Sequence, residues 1–164
     1  MFLSKLVGEM MSYYKNVRLS EHAVKAYAYA VGIGQGEGLS EDDMLILSAA
    51  AILHDIGIPR AMELYGSAKG ELQEKEGALL VPEMLSRAEA PDSITEQVAW
   101  LVGHHHTEEL AKDSLLLQIL MEADYLVNFA EGNRPPEALD QVAGNFFKTA
   151  TGKNYIKALF SLYA

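Results

Sequence analysis

The residues able to do chemistry in this chain are few and unusually placed. His54 and Asp55 stand side by side at the end of the apolar run Ser48-Ala49-Ala50-Ala51-Ile52-Leu53, and Gly57 and Pro59 follow at once. Burying a core calls for neither residue. Charge taken out of water is costly unless it is paired, so the two need partners: other side chains, water or a metal ion. Adjacent residues on a helix point about 100° apart, so a His-Asp pair converges on one point only from a last turn, which is where Gly57 and Pro59 leave it. The other histidines are His22 and the run His104-His105-His106, each at or beside the end of a helical segment. Asp124 lies inside the apolar stretch Leu115–Val127 and raises the same question of partners. With no cysteine in the chain, a metal would be held by imidazole, carboxylate, carbonyl or water.

Taken singly, each residue has a plain structural explanation. A helix-end histidine caps carbonyls, a buried aspartate accepts a hydrogen bond from a neighbour, and residues 104–106 fit a solvated turn. The joint pattern carries more than its members.

The elements that must position these residues are helical. Phe2, Leu3, Leu6, Met10, Met11 and Tyr14 recur at helical spacing and predict a first helix over residues 2–15. Ser20 is the N-cap candidate of a second, which Gly32, Gly34, Gly36 and Gly38 break. That glycine run follows a helix and precedes no Lys-Ser/Thr pair, so it reads as a flexible connector, not a phosphate-binding loop. Ser40 with Glu41, Asp42 and Asp43 opens a third helix that runs to His54. A short helix follows over residues 60–65, then a loop from Gly66 to Gly70 in which Lys69 is read as solvated. Residues 71–88 are helical with a kink or break at Pro82. Further helices start at Pro91-Asp92-Ser93, span residues 114–130, start at Pro135-Pro136, and cover Tyr155 to Tyr163. No strand alternation and no repeat is present. The expectation is an all-α, single-domain helical bundle of about six to eight helices over residues 1–164, with its core over about 18–130 and the helices of 134–164 packed against it.

A formal charge of −10 over 164 residues argues against general nucleic-acid binding, which needs Lys and Arg against phosphates. No apolar run approaches the roughly 20 residues of a membrane span, and no signal-peptide pattern is present. The expected location is the cytoplasm, without membrane partners, and the sequence allows a homodimer.

Taken together, His22, then Ala51-Ile52-Leu53-His54-Asp55-Ile56-Gly57, then His104-His105, then Glu122-Ala123-Asp124 resemble the HD-domain superfamily of metal-dependent phosphohydrolases. The resemblance covers roughly residues 18–130 and implies a helical bundle of the HD-domain type in which His22, His54, Asp55 and Asp124 ligate a divalent metal. Two imidazoles and two carboxylates suit Mn, Fe, Co, Ni or Zn better than Mg. Such an ion acidifies bound water and polarises a phosphoryl oxygen. The implied activity is hydrolysis of a small phosphorylated metabolite, a nucleotide being the expected class. His104 or His105 would act as general acid or phosphate ligand, and Arg18, four residues before His22, would bind phosphate.

Two positions depart from the family pattern. Ile58 stands where many members carry Lys after the HD pair, and Gln73 where dinuclear members carry a histidine. A single metal is therefore expected, with a second left to His104, His105 and a glutamate. Two other readings remain: an oxygen-using di-iron enzyme of the same superfamily, and a metal-stabilised binding or sensing module without catalysis. Trp100 and Tyr65 are read as core residues, with stacking on a base as the alternative.

Overall fold

The structure is a computed structural model and describes residues 1–132 and 144–162. Among these residues it is all-helical, with nine α-helices and one 3₁₀ turn: α1 Phe2–Tyr14, α2 Val17–Gly36, α3 Glu41–Leu53, α4 Ile58–Tyr65, α5 Gly70–Arg87, the 3₁₀ turn Asp92–Ile94, α6 Thr95–Val102, α7 Glu108–Ala111, α8 Leu115–Ala130 and α9 Ala150–Ser161. The one-turn α7 is the element not among the expected helices. The helix expected from Pro135-Pro136 lies outside the described residues.

α3 is the central rod. Ser40 caps it, its hydroxyl accepting the Asp43 amide at 3.1 Å, and three acids in the first turn complement the helix dipole. Every residue from Ile46 to Leu53 is buried. A helix that is apolar all round belongs inside the protein, and its alanines let neighbours approach closely. α2 packs across α3 and α8, α1 covers α2, α3 and α5, and α6 bridges α5 and α3. At the far end, α9 packs on α8 and α2. No single helix among the described residues is long and apolar enough to cross a membrane.

Three local expectations are corrected. α2 starts at Val17, not at Ser20: Asn16 is the N-cap, accepting the Leu19 amide at 3.1 Å, while the Ser20 hydroxyl donates back to the Asn16 carbonyl. Nor do the glycines break α2, which runs on to Gly36. A Cβ at Gly32 would strike the Tyr155 ring, and one at Gly34 the side chains of Met44 and Leu47. These positions are small so that α9 and α3 can close in, and packing overrides the low helix propensity of glycine. A break at Pro82 does not occur either: α5 runs from Gly70 to Arg87 with Pro82 inside it. Pro82 is exposed, so water can serve the carbonyl that loses its amide partner there.

The turn after α3 sets the geometry of the site. Ile56 and Ile58 amides bond back to Leu53 and Asp55 carbonyls, which ends the helix at His54. Gly57 then lies so close to α5 that a Cβ would clash with the Gln73 carbonyl and the Gly77 amide. This backbone contact fixes the His-Asp turn against α5.

Candidate metal centre

Helices α2, α3 and α8 bring His22, His54, Asp55 and Asp124 to one point. His22 is on the second turn of α2, His54 and Asp55 are on the turn that closes α3, and Asp124 is in the middle of α8. His22 Nε2 lies 3.0 Å from Asp124 Oδ1 and 3.6 Å from Asp55 Oδ2. His54 Nε2 lies 3.4 Å from both of those oxygens. On the other side of Asp55, Oδ1 faces His105 Nε2 at 3.5 Å.

Hydrogen bonds at the far ring nitrogens orient these imidazoles. His54 Nδ1 donates to the Ala51 carbonyl at 2.8 Å, and His105 Nδ1 to the Val102 carbonyl at 2.7 Å. A neutral ring so held presents a bare lone pair at Nε2. Both Nε2 atoms are buried and have no hydrogen-bond partner. They face carboxylate oxygens, which are acceptors too, so a proton or a cation must mediate between them.

Electrostatics describe the protonated alternative. Burial opposes charge on His54, but Asp55 and Asp124 outweigh it and raise its pKa well above the ordinary value. His22 moves the same way: burial is overcome by its bond to Asp124. Burial would likewise raise both aspartates, yet His54 and His105 hold Asp55 well below the usual carboxylate range, and His22 and His54 do the same for Asp124. Such a set of mutually dependent charges is what a divalent ion can replace. Two imidazoles and two carboxylates, with buried lone pairs converging between them, fit a first-row metal.

Of the other residues singled out in the sequence, some join this cluster and some do not. His105 joins it. His104 does not: its Nδ1 bonds the Trp100 carbonyl at 2.7 Å and its ring stacks on Trp100 at 4.8 Å between centroids. Arg18 lies one turn before His22 on α2 and lines a cleft floored by His22 and Asp55. Trp100 and Tyr65 are not core residues. Trp100 is 39% exposed and Tyr65 is 43% exposed, and the Tyr65 hydroxyl donates to the buried Glu76 carboxylate at 2.8 Å.

Glu131 and the pairing of Gln73 with His106 escaped the sequence reading. Glu131 Oε2 accepts from His22 Nδ1 at 3.0 Å, and Lys25 Nζ reaches its other oxygen at 3.4 Å. A carboxylate behind a histidine fixes the ring and raises its basicity as a ligand. The signal was present: Asp124, Asn128 and Glu131 stand at i, i+4 and i+7, one polar stripe on an apolar helix. Asn128 Nδ2 completes it by donating to Asp124 Oδ1 at 2.8 Å. Gln73 Nε2 lies 2.7 Å from His106 Nε2, while Glu74 holds the His106 amide at 2.7 Å. Partial burial and the neighbouring His105 push the His106 pKa down to about 4.

With this geometry in hand, the family model described as HD domain matches residues 19–128. The chain belongs to the HD domain family. Among solved structures, the crystal structure of a predicted HD superfamily hydrolase from an uncultured Thermotogales bacterium is similar, with a TM-score of 0.69 at 20% identity. The match covers 98% of this chain and 86% of that one, and at that identity it speaks for the fold. Among curated proteins, no sequence matches significantly. HD domains are metal-dependent hydrolases as a family, and this HD domain carries a His/Asp cluster that could hold a metal.

Proposed function

We propose that this HD domain is a metal-dependent phosphohydrolase acting on a small phosphorylated metabolite, with nucleotides as the class to test first. The observation that carries the reading is the pair of buried, partnerless Nε2 atoms of His54 and His105 converging on Asp55 and Asp124. His22, His54, Asp55 and Asp124 would hold the ion. When bound, a divalent ion there supplies an acidified water and a Lewis acid for phosphoryl oxygens.

The chain's own residues supply the rest. Arg18 binds the phosphate through its guanidinium. Asp55, set between His54 and His105, keeps both rings aimed inward. His105, whose Nε2 lies 3.5 Å from Asp55 Oδ1, serves as general acid to the departing oxygen. In the net reaction water adds oxygen to phosphorus, the ester P–O bond breaks, and the leaving oxygen takes up a proton. The products are an alcohol and orthophosphate.

Metal analysis together with a panel of phosphomonoesters and nucleotides tests this reading on wild type and Asp55→Ala. The variant is expected to lose both bound metal and turnover. Full activity in it would sink the assignment.

One observation favours a second reading, in which two ions are held instead of one. Asp55 offers Oδ2 to His54 and His22 and Oδ1 to His105, with His106 beside His105 at 4.0 Å between ring centroids. Asp55, His105 and His106 form a second group able to hold a metal. The ratio of metal to chain at saturation, one or two, separates the readings.

A further inference from the structure

The two sides of the metal centre differ in the room they give a ligand. On the α2 side, the cleft bounded by Asn16, Arg18, Leu19 and Asn128 holds about 340 Å³ and is floored by His22 and Asp55. On the other, His105, Asp124, Tyr125 and Phe146 enclose about 50 Å³. Pockets for small organic ligands begin at about 300 Å³, whereas the smaller space takes only a few waters. An organic group therefore fits on the Arg18 side and not on the other.

Charge around the cleft is equally uneven. Asp55 and Asp124 are turned inward to the histidines, and Glu131 is held by His22 and Lys25. Lys25 is thereby committed, with Glu21 as a further partner. Among the described residues lining the cleft, Arg18 is the cation that no carboxylate holds. One guanidinium grips one phosphate through two parallel hydrogen bonds. A polyphosphate would bring further anionic groups beside Glu131, where the described lining residues offer no second cation to receive them.

We infer that the site selects phosphomonoesters, discriminating against phosphodiesters because a second organic arm has no room and against nucleoside triphosphates because the added charge finds no free cation among the described residues lining the cleft. The inference rests on the phosphohydrolase reading above and adds the substrate class to it. Arg18 is the phosphate anchor, and Asn16, Leu19 and Asn128 form the wall against the single ester arm.

Two measurements on the metal-loaded protein test it. In turnover, p-nitrophenyl phosphate is compared with bis(p-nitrophenyl) phosphate, and adenosine 5′-monophosphate with the triphosphate. The monoester is expected to lead in kcat/KM by about tenfold or more in each pair. In calorimetry, orthophosphate is expected to bind more tightly than tripolyphosphate. Arg18→Ala should weaken orthophosphate by about tenfold or more, with Arg18→Lys in between. If the diester or triphosphate is turned over as well as its monoester, the inference falls and the hydrolase reading stands. If orthophosphate binds through Arg18 but nothing is hydrolysed, the hydrolase reading falls and the ligand class is supported. Unchanged orthophosphate binding in Arg18→Ala overturns the inference.

Discussion

Helix α8 carries two inward acids two residues apart, and their surroundings are opposite in kind. Glu122 is fully buried and met by donors that need no charge: Gln118 Nε2 at 2.8 Å, the Lys148 amide at 2.6 Å, and the Thr149 amide at 3.1 Å together with its hydroxyl. Asp124, about 200° further round the helix, accepts one neutral bond from Asn128 and otherwise faces His22 and His54. Glu122 is satisfied by the fold itself. It pins the segment that leads into α9, and Gly152 is small there because a Cβ would collide with its carboxylate. Asp124 is satisfied only if the imidazoles facing it are protonated or if a cation replaces those protons. A structural carboxylate collects neutral donors, whereas a ligand carboxylate collects other ligands.

The largest effect should follow from breaking the ligand side. Asp124→Ala is expected to abolish metal retention, read by elemental analysis of purified protein, and with it any turnover. Folding of the metal-free protein should survive, because Asp124 holds no segment of chain in place. An Asp124→Ala protein that still holds stoichiometric metal would erase the contrast between the two acids.

Next in size is the structural side. Glu122→Ala leaves two amides, a hydroxyl and an amide side chain without their acceptor, at a cost of about 3 kcal/mol. For a chain of this length that lowers the melting temperature by about 10 °C. Metal bound per folded molecule should not change. A loss of metal without a loss of stability would reverse the roles assigned to the two residues.

The ligand side was more legible in the sequence than the structural side, and for a physical reason. His22, His54-Asp55 and Asp124 are residue types that an apolar helix end or interior does not otherwise need, so each stands out locally. The Ser40 cap and the periodicity of α1 are local as well, and both hold in the structure. Nothing local tells Glu122 from Asp124, since the partners of Glu122 at 148 and 149 lie 26 and 27 residues away. The glycines of α2 were misread for the same reason: the side chains they admit belong to α3 and α9. His104 and His105 are neighbours of one type in sequence, and only the turn after α6 sends one ring to Trp100 and the other to Asp55. Glu131 could have been found from its spacing, had the polar stripe of α8 been followed to the helix end.

Smaller than either is the effect expected at Glu131, which acts on the ligand through His22. Glu131→Gln keeps the shape and removes the charge behind the ring. Outer partners of this kind are worth about 10–100-fold in metal affinity, so a titration with a competing chelator should show a loss in that range, with melting of the metal-free protein little altered. An unchanged affinity would make the Glu131–His22 contact a surface ion pair and no part of the centre.

The mildest test uses pH to separate protons from metal at Asp124. In the metal-free protein His22 and His54 have raised pKa values, so their stabilisation is complete below the ordinary histidine value of 6.5 and is lost as pH rises through the folded values. Asp55 and Asp124 are depressed, so theirs is present above the ordinary 3.8 and is lost as pH falls through the folded values. Metal-free protein should therefore be most stable between these limits and should weaken from pH 6 to pH 8. Metal binding requires the same imidazoles without protons, so affinity rises over that interval. The gain in melting temperature on adding a divalent ion should accordingly be larger at pH 8 than at pH 6. A gain independent of pH would mean that protons and metal do not compete for His22 and His54, and that Asp124 is held, like Glu122, by the fold alone.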